Sequence, residues 1–145
     1  MGKIMEKIFE EMTFLGGLAF YLFLIILFLI LNVNYSLRLI LGLAIIYFFT
    51  LIIRLFYFKP RPDKAKYSSF IEKLDASSFP SVHAARITFL LLFSFLFSLS
   101  LPFYAGIFAL FLAVLYSRIY LLKHDLADII AGVILGMVAS LSLIL

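Results

Sequence analysis

Long apolar runs decide what this chain can fold into. Five of them follow one another, at about Thr13–Leu31, Leu37–Phe58, Val82–Leu99, Pro102–Leu122 and Asp125–Leu145. Each is close to the ~20 residues that a helix needs to cross the hydrocarbon core of a bilayer. A backbone in lipid must satisfy its own hydrogen bonds, so such runs are read as helices. Hydrophobic residues make up 66% of the chain and charged residues 14%, far from the balance of a soluble domain. The expected architecture is therefore all-α: one polytopic membrane bundle of about five spans, with residues 1–145 forming a single domain.

The first twelve residues differ. Ile4, Met5, Ile8, Phe9 and Met12 fall on one helical face, and Lys3, Glu6, Lys7, Glu10 and Glu11 on the other. This spacing predicts a short amphipathic helix over Met1–Met12, lying in the interface or extending into solvent. The run that follows is too long for a signal-peptide core and has no small-residue cleavage site after it, so it is expected to remain as a span. The one long polar connection is 59–81, KPRPDKAKYSSFIEKLDASSFPS, where Pro60 and Pro62 stop the preceding helix. There are no cysteines, hence no disulfide framework and no thiolate metal site or nucleophile. The net charge of +4 suits anionic headgroups. No basic stripe with exposed aromatics points to nucleic acid.

Counting crossings brings distant segments together. With the N-terminus on side X, spans two and four end on X, and spans three and five begin there. Residues 54–63, 81–86 and 118–128 then gather at one membrane face. Helix periodicity supports this. His124, Asp128, Gly132, Gly136 and Ser140 form one stripe of the last span, and Ala105, Ala109, Ala113 and Ser117 form another on the fourth. Small residues at every fourth position allow close helix approach in lipid, so these two spans are expected to pack together. Thr50 and Arg54 share a face of the second span.

Each cluster carries chemistry. Arg54 and Arg61 can bring two guanidinium forks to one anion, although snorkelling arginines would look the same. In FPSVHAAR, Pro80 suits a first helical turn. The N–H groups of Ser81, Val82 and His83 would then face an anion at the positive end of the helix, with Ser81 adding a hydroxyl and His83 a proton. A simple helix cap beside an interfacial histidine is the alternative. In SRIYLLKHDLAD, His124 and Asp128 share a helical face, so Asp128 can accept the Nδ1–H of His124 and leave Nε2 free to attack. An Arg118–Asp128 ion pair is the competing structural role, but it would not require His124. Ionisable residues in a span are functional candidates. Cationic forks, amide donors and two histidines suit phosphoryl transfer without a metal. Two histidines crowded by arginines suit a metal site poorly.

The three clusters resemble the tripartite signature of the type-2 phosphatidic-acid phosphatase superfamily, which also includes vanadium haloperoxidases. That pattern is Lys-x6-Arg-Pro, Pro-Ser-Gly-His and Ser-Arg-x5-His-x3-Asp. Here stand Arg54-x6-Arg61-Pro62, Pro80-Ser81-Val82-His83 and Ser117-Arg118-x5-His124-x3-Asp128. The resemblance spans residues 54–128. It implies a phosphatase/haloperoxidase-like core. His124 would be the nucleophile forming a phosphohistidine, Asp128 its orienter, and His83 the acid for the leaving group. Arg54, Arg61, Arg118, Ser81 and the N–H of Val82 would bind phosphate, with no metal or other cofactor. Two departures stand out: Arg54 replaces lysine, and Val82 replaces glycine, where a β-branched side chain narrows the approach to phosphate.

A site at the interface of such a protein implies a phosphorylated membrane lipid. Phosphatidic acid, phosphatidylglycerophosphate and a polyprenyl phosphate or diphosphate all fit, as does a lipid A phosphate. A binding or transport protein that has lost turnover is the alternative. Lys59, Lys64, Lys66, Lys73, Arg86 and Lys123 are expected to form a basic collar that concentrates anionic headgroups. Of the 12 lysines and arginines, all but Arg38 lie on side X. The positive-inside rule thus places the site at the cytoplasmic face of the cell membrane. Nothing in the sequence fixes an oligomeric state.

Overall fold

The computed structural model describes residues 2–63 and 67–144. Met1, Lys64, Lys66 and Leu145, counted above with the first helix, the collar and the last span, lie outside the described residues. Among the described residues, seven helices follow in order: α1 (Gly2–Leu15), α2 (Leu18–Leu31), α3 (Val33–Phe56), α4 (Phe70–Ala76), α5 (Val82–Ser94), α6 (Leu101–Tyr120) and α7 (Leu126–Ile144). Polar residues mark their ends. The Asn32 side chain accepts the N–H of Asn34 at the start of α3. Ser69 and Ser81 cap α4 and α5, and Pro102 sits in the first turn of α6.

Among the described residues, four helical stretches are long and apolar enough to cross a membrane: Lys3–Leu31, Val33–Phe56, Leu101–Tyr120 and Leu126–Leu143. The third expected span is apolar but helical only over Val82–Ser94. The expected boundary at Met12 also moves. The first helix runs on to Leu15, and the break falls at Gly16–Gly17. Outward faces are apolar, with Ile30, Phe48, Phe56, Phe103 and Ile134 exposed. This inside-out surface suits hydrocarbon rather than water.

Glycines set the packing. A Cβ on Gly132 would lie 2.3 Å from the Ser81 carbonyl oxygen, and one on Gly136 would lie 2.4 Å from that of Ala85. α7 therefore presses its small-residue stripe onto α5. This corrects the expected pairing of the last two spans. His124, Asp128, Gly132, Gly136 and Ser140 are all buried as the stripe requires, but Ala105 and Ala109 of α6 are exposed. The tight turn after Tyr120 does not make α6 the main neighbour of α7. α6 instead packs on α5 and α1. α1 runs antiparallel beside it, with Phe9 against Tyr116 and Tyr120 and the Thr13 hydroxyl 3.0 Å from that of Ser117. At the far end, Phe28, Tyr35, Phe93 and Phe97 meet ring to ring.

Candidate active site

The three sequence clusters meet where the crossing count places them. Arg54, Arg61, Val82, His83, Arg118 and His124 line one cavity of about 490 Å³, together with Tyr47, Thr50 and Arg86. They arrive on separate elements: Tyr47, Thr50 and Arg54 on α3, Arg61 on the loop after it, Val82, His83 and Arg86 on the first turns of α5, and Arg118 near the end of α6. His124 stands in the turn before α7.

A helix that the sequence reading missed holds two of the arginines. α4 lies within the loop 59–81. Its carbonyl at Leu74 accepts from Arg54 Nη1 at 3.0 Å, and that of Asp75 accepts from Arg61 Nη2 at 2.6 Å. Unpaired carbonyls at a helix C-terminus are natural acceptors for guanidinium groups. Arg54 also donates to the Pro80 carbonyl at 3.2 Å. The signal for α4 was Ser69-x-x-Glu72: the Ser69 hydroxyl accepts the Glu72 N–H, as in a capping box.

Asp128 is fully buried, and two features of its surroundings were not expected. First, its cation is Lys59, and the competing pair with Arg118 is absent among the described residues. Lys59 Nζ lies 2.7 Å from Asp128 Oδ1 and 2.5 Å from Asp125 Oδ2. Lys59 therefore leaves the expected collar and ties the loop to the start of α7. Burial works against its charge, but these two partners outweigh burial and raise its pKa. The same hydrogen bond holds Asp125 below the usual carboxylate range. Second, His124 Nδ1 stands 3.7 Å from Asp128 Oδ2, an electrostatic distance and not a hydrogen bond. That oxygen accepts the Asp125 N–H at 3.0 Å, and Asp128 N–H donates back to Asp125 Oδ1 at 3.0 Å. The two aspartates thus cap α7 reciprocally while facing the histidine.

Ser81 also departs from expectation. Its side chain is buried and accepts the Ala84 N–H, and its own N–H donates to the Asp128 carbonyl at 3.0 Å. It fixes the start of α5 against α7 and does not line the cavity, so its N–H is not aimed at an anion. The expected collar is broken in another place: Arg86 is only 3% exposed, and Lys123 pairs with Asp63 at 2.6 Å.

The cavity is dominated by positive charge, with Asp75 as the one carboxylate residue on its wall among the described residues. Among the described residues, no carboxylate lies within 4.0 Å of Arg54, Arg61, Arg86 or Arg118. Six buried side-chain polar atoms there lack a hydrogen-bond partner: Thr50 Oγ1, His124 Nδ1 and the Nε of those four arginines. All six belong to residues lining this one cavity. Burial and the Arg118 guanidinium push the His124 pKa down to about 4, against the opposing pull of Asp128. His124 is thus a neutral imidazole at neutral pH. Also among the described residues, no group of three or more His, Asp and Glu is placed to hold a metal ion.

The sequence profile of the PAP2 superfamily matches residues 35–145. The chain belongs to the PAP2 superfamily. That match includes every residue of the tripartite signature, and with the apolar helices it makes the protein a membrane phosphatase of this family. The fold agrees with that of LpxE from Aquifex aeolicus at a TM-score of 0.75 and 20% identity, over 96% of this chain and 84% of that one. No curated protein matches. The PAP2 fold therefore accounts for how segments far apart in sequence share one cavity.

Proposed function

We propose that the protein is an integral-membrane lipid phosphatase. It removes a phosphate monoester or terminal phosphate from a phospholipid or polyprenyl lipid through a phosphohistidine, without a metal. One observation carries this reading: the residues whose buried polar atoms lack partners all line a single cavity, and four of them are arginines with no carboxylate within 4.0 Å among the described residues. A tetrahedral oxyanion with several acceptor lone pairs answers that arrangement.

In the proposed reaction the phosphoryl group sits among Arg54, Arg61 and Arg118, with the Val82 N–H as a further donor. His124 Nε2 attacks phosphorus, and the bond from phosphorus to the leaving oxygen breaks. His83, which takes up a proton as the phosphate dianion enters beside it, gives that proton to the leaving oxygen. Asp128 faces Nδ1 and stabilises the charge on the phosphorylated imidazole. Water then gives a proton to His83 and attacks phosphorus. The N–P bond breaks, phosphate leaves, and His124 is neutral again. Phosphatidic acid, phosphatidylglycerophosphate and polyprenyl diphosphate are the candidate substrates. The single membrane-embedded domain sits in the cell membrane, and the side rich in lysine and arginine puts the cavity at the cytoplasmic face. Tag accessibility in intact cells tests the side.

Phosphate release by the detergent-purified protein in EDTA, beside His124→Ala, tests the chemistry. Release that the substitution abolishes, with acid-labile label on His124, supports the reading. A second reading is a lipid-phosphate binding or transport protein on the same fold. It is favoured by Val82, which lines the cavity where the family pattern has glycine. A folded wild type that binds phosphate yet releases none from any candidate lipid would establish it.

A further inference from the structure

Arg86 is outside the phosphate signature, yet it is the most deeply buried arginine of the chain at 3% exposure. It lines the same cavity as the histidines. Its Nη1 donates to the Tyr47 hydroxyl at 3.1 Å, its guanidinium lies over the Tyr47 ring, and its Nε has no partner. Beside it on α3, the Thr50 hydroxyl is also buried without a partner. A guanidinium in a membrane protein with only a phenol as acceptor needs an anion from elsewhere.

The position of the pair says which part of a ligand meets it. Arg86 is one turn past His83, roughly 4.5 Å farther along α5. Tyr47 is two turns before Arg54, about 10 Å back along α3. Both helices carry these residues from the interface toward the bilayer interior. Leu18 and Leu51 line the same cavity and are exposed. A lipid whose phosphoryl group is held by Arg54, Arg61 and Arg118 must run its remainder past His83 in this direction, because its tails belong in hydrocarbon.

We propose that Arg86, Tyr47 and Thr50 form a second anion subsite, which selects substrates whose leaving group itself carries a phosphoryl anion. A lipid diphosphate and phosphatidylglycerophosphate have such a group; phosphatidic acid leaves a neutral alcohol. The shared chemistry is a second phosphoryl anion on the bilayer side of the reacting one. A charge-assisted fork to that anion is worth about tenfold or more in selectivity. The subsite rests on the phosphatase reading for its consequence in turnover, but not for its binding of anions.

The test has two arms. In the first, kcat/KM is measured for polyprenyl diphosphate, phosphatidylglycerophosphate and phosphatidic acid with wild type and Arg86→Gln. Wild type should prefer one or both doubly anionic lipids to phosphatidic acid, and the substitution should cut that ratio about tenfold or more. Which of the two lipids carries the preference tells a directly bridged second phosphate from one three carbons away. In the second arm, inorganic pyrophosphate and phosphate are titrated by calorimetry, and Arg86→Gln should erase the preference for pyrophosphate. Arg86→Lys keeps the charge without the fork and should keep part of both ratios. Tyr47→Phe should lower both ratios if Arg86→Gln does not fold. Ratios that do not move in folded variants overturn the subsite, even if turnover is intact. No turnover with an Arg86-dependent pyrophosphate preference overturns the phosphatase reading and keeps the subsite.

Discussion

Two of the cavities in this bundle have unlike walls. The first, about 490 Å³, is lined by four arginines and two histidines. The second, about 330 Å³, lies between α2, α5 and α6, and its wall is Leu, Ile and Phe with one serine, Ser94. That serine donates to the Leu91 carbonyl at 2.6 Å. In the arginine cavity six buried polar atoms have no partner, and in the apolar one there are none among the described residues. An apolar void leaves only dispersion unmade, whereas buried donors without acceptors carry a desolvation penalty of about 1–3 kcal/mol each. Native structures leave such groups mainly where a ligand or reaction uses them. Volume alone therefore says little about function here; unsatisfied charge distinguishes the two.

Charge removal should give the largest contrast. Arg54→Gln, Arg61→Gln or Arg118→Gln should each lower kcat/KM for the best lipid by about 10²–10³. Leu90→Met or Ile107→Val in the apolar cavity should change it less than about twofold. An apolar-cavity substitution as damaging as an arginine loss, in a protein of unchanged thermal stability, would break the comparison.

Glycine substitutions come next, because α7 positions Asp128 and the turn holding His124. Gly132→Ala puts a methyl against the Ser81 carbonyl. It should destabilise by about 1–3 kcal/mol and lower activity with it. Gly106→Ala, with nothing within 4 Å of the new Cβ, should be neutral or slightly stabilising in its helix. Thermal unfolding in detergent reads both.

The sequence reading reached the convergence of the three clusters, and for physical reasons. Alternating apolar runs and polar connections set which helix ends share a side, even though the third run is a helix of only Val82–Ser94. His124 and Asp128 are four apart, so helical geometry puts them together whatever else packs nearby. Packing partners were harder. A small-residue stripe says that α7 approaches something closely, but Ala105 and Ala109 carry the same pattern and face outward. The pairing of Lys59 with Asp128 joins residues far apart through a flexible stem, and no local pattern records it. The Arg86–Tyr47 pair was hidden likewise, since Arg86 reads as one more interfacial cation until α3 is seen beside it.

Lys59 offers a smaller effect with a distinctive signature. It neutralises Asp128, which raises the His124 pKa against burial and Arg118. For the free wild-type enzyme, the acid limb of kcat/KM set by His124 should lie at about pH 4. Lys59→Met frees the Asp128 charge to act on His124, so this acid limb should rise by roughly one pH unit. Stability follows the same proton. Because His124 in the folded protein lies below its ordinary 6.5, the unfolded chain takes up the proton first. Folding stability should therefore decline as pH falls from 6.5 toward 4. A limb that stays in place in Lys59→Met would confine Lys59 to holding the loop.

The smallest effect should differ between the cavities in sign. Thr50→Val exchanges a buried hydroxyl without a partner for a methyl of similar volume. That relieves a desolvated polar group, so the folded protein should gain about 1 kcal/mol. Ser94→Ala removes a hydroxyl that already has its acceptor, and the expected change is a loss of up to about 1 kcal/mol. Function should separate them again. Thr50→Val should weaken anion binding in the arginine cavity while the protein melts at a higher temperature, and Ser94→Ala should leave binding unchanged. Stability gained at the expense of binding is the behaviour of a polar group kept for a ligand. If Thr50→Val destabilises the protein as Ser94→Ala does, the Thr50 hydroxyl is part of the packing, and the arginine cavity loses one of the six groups that set it apart.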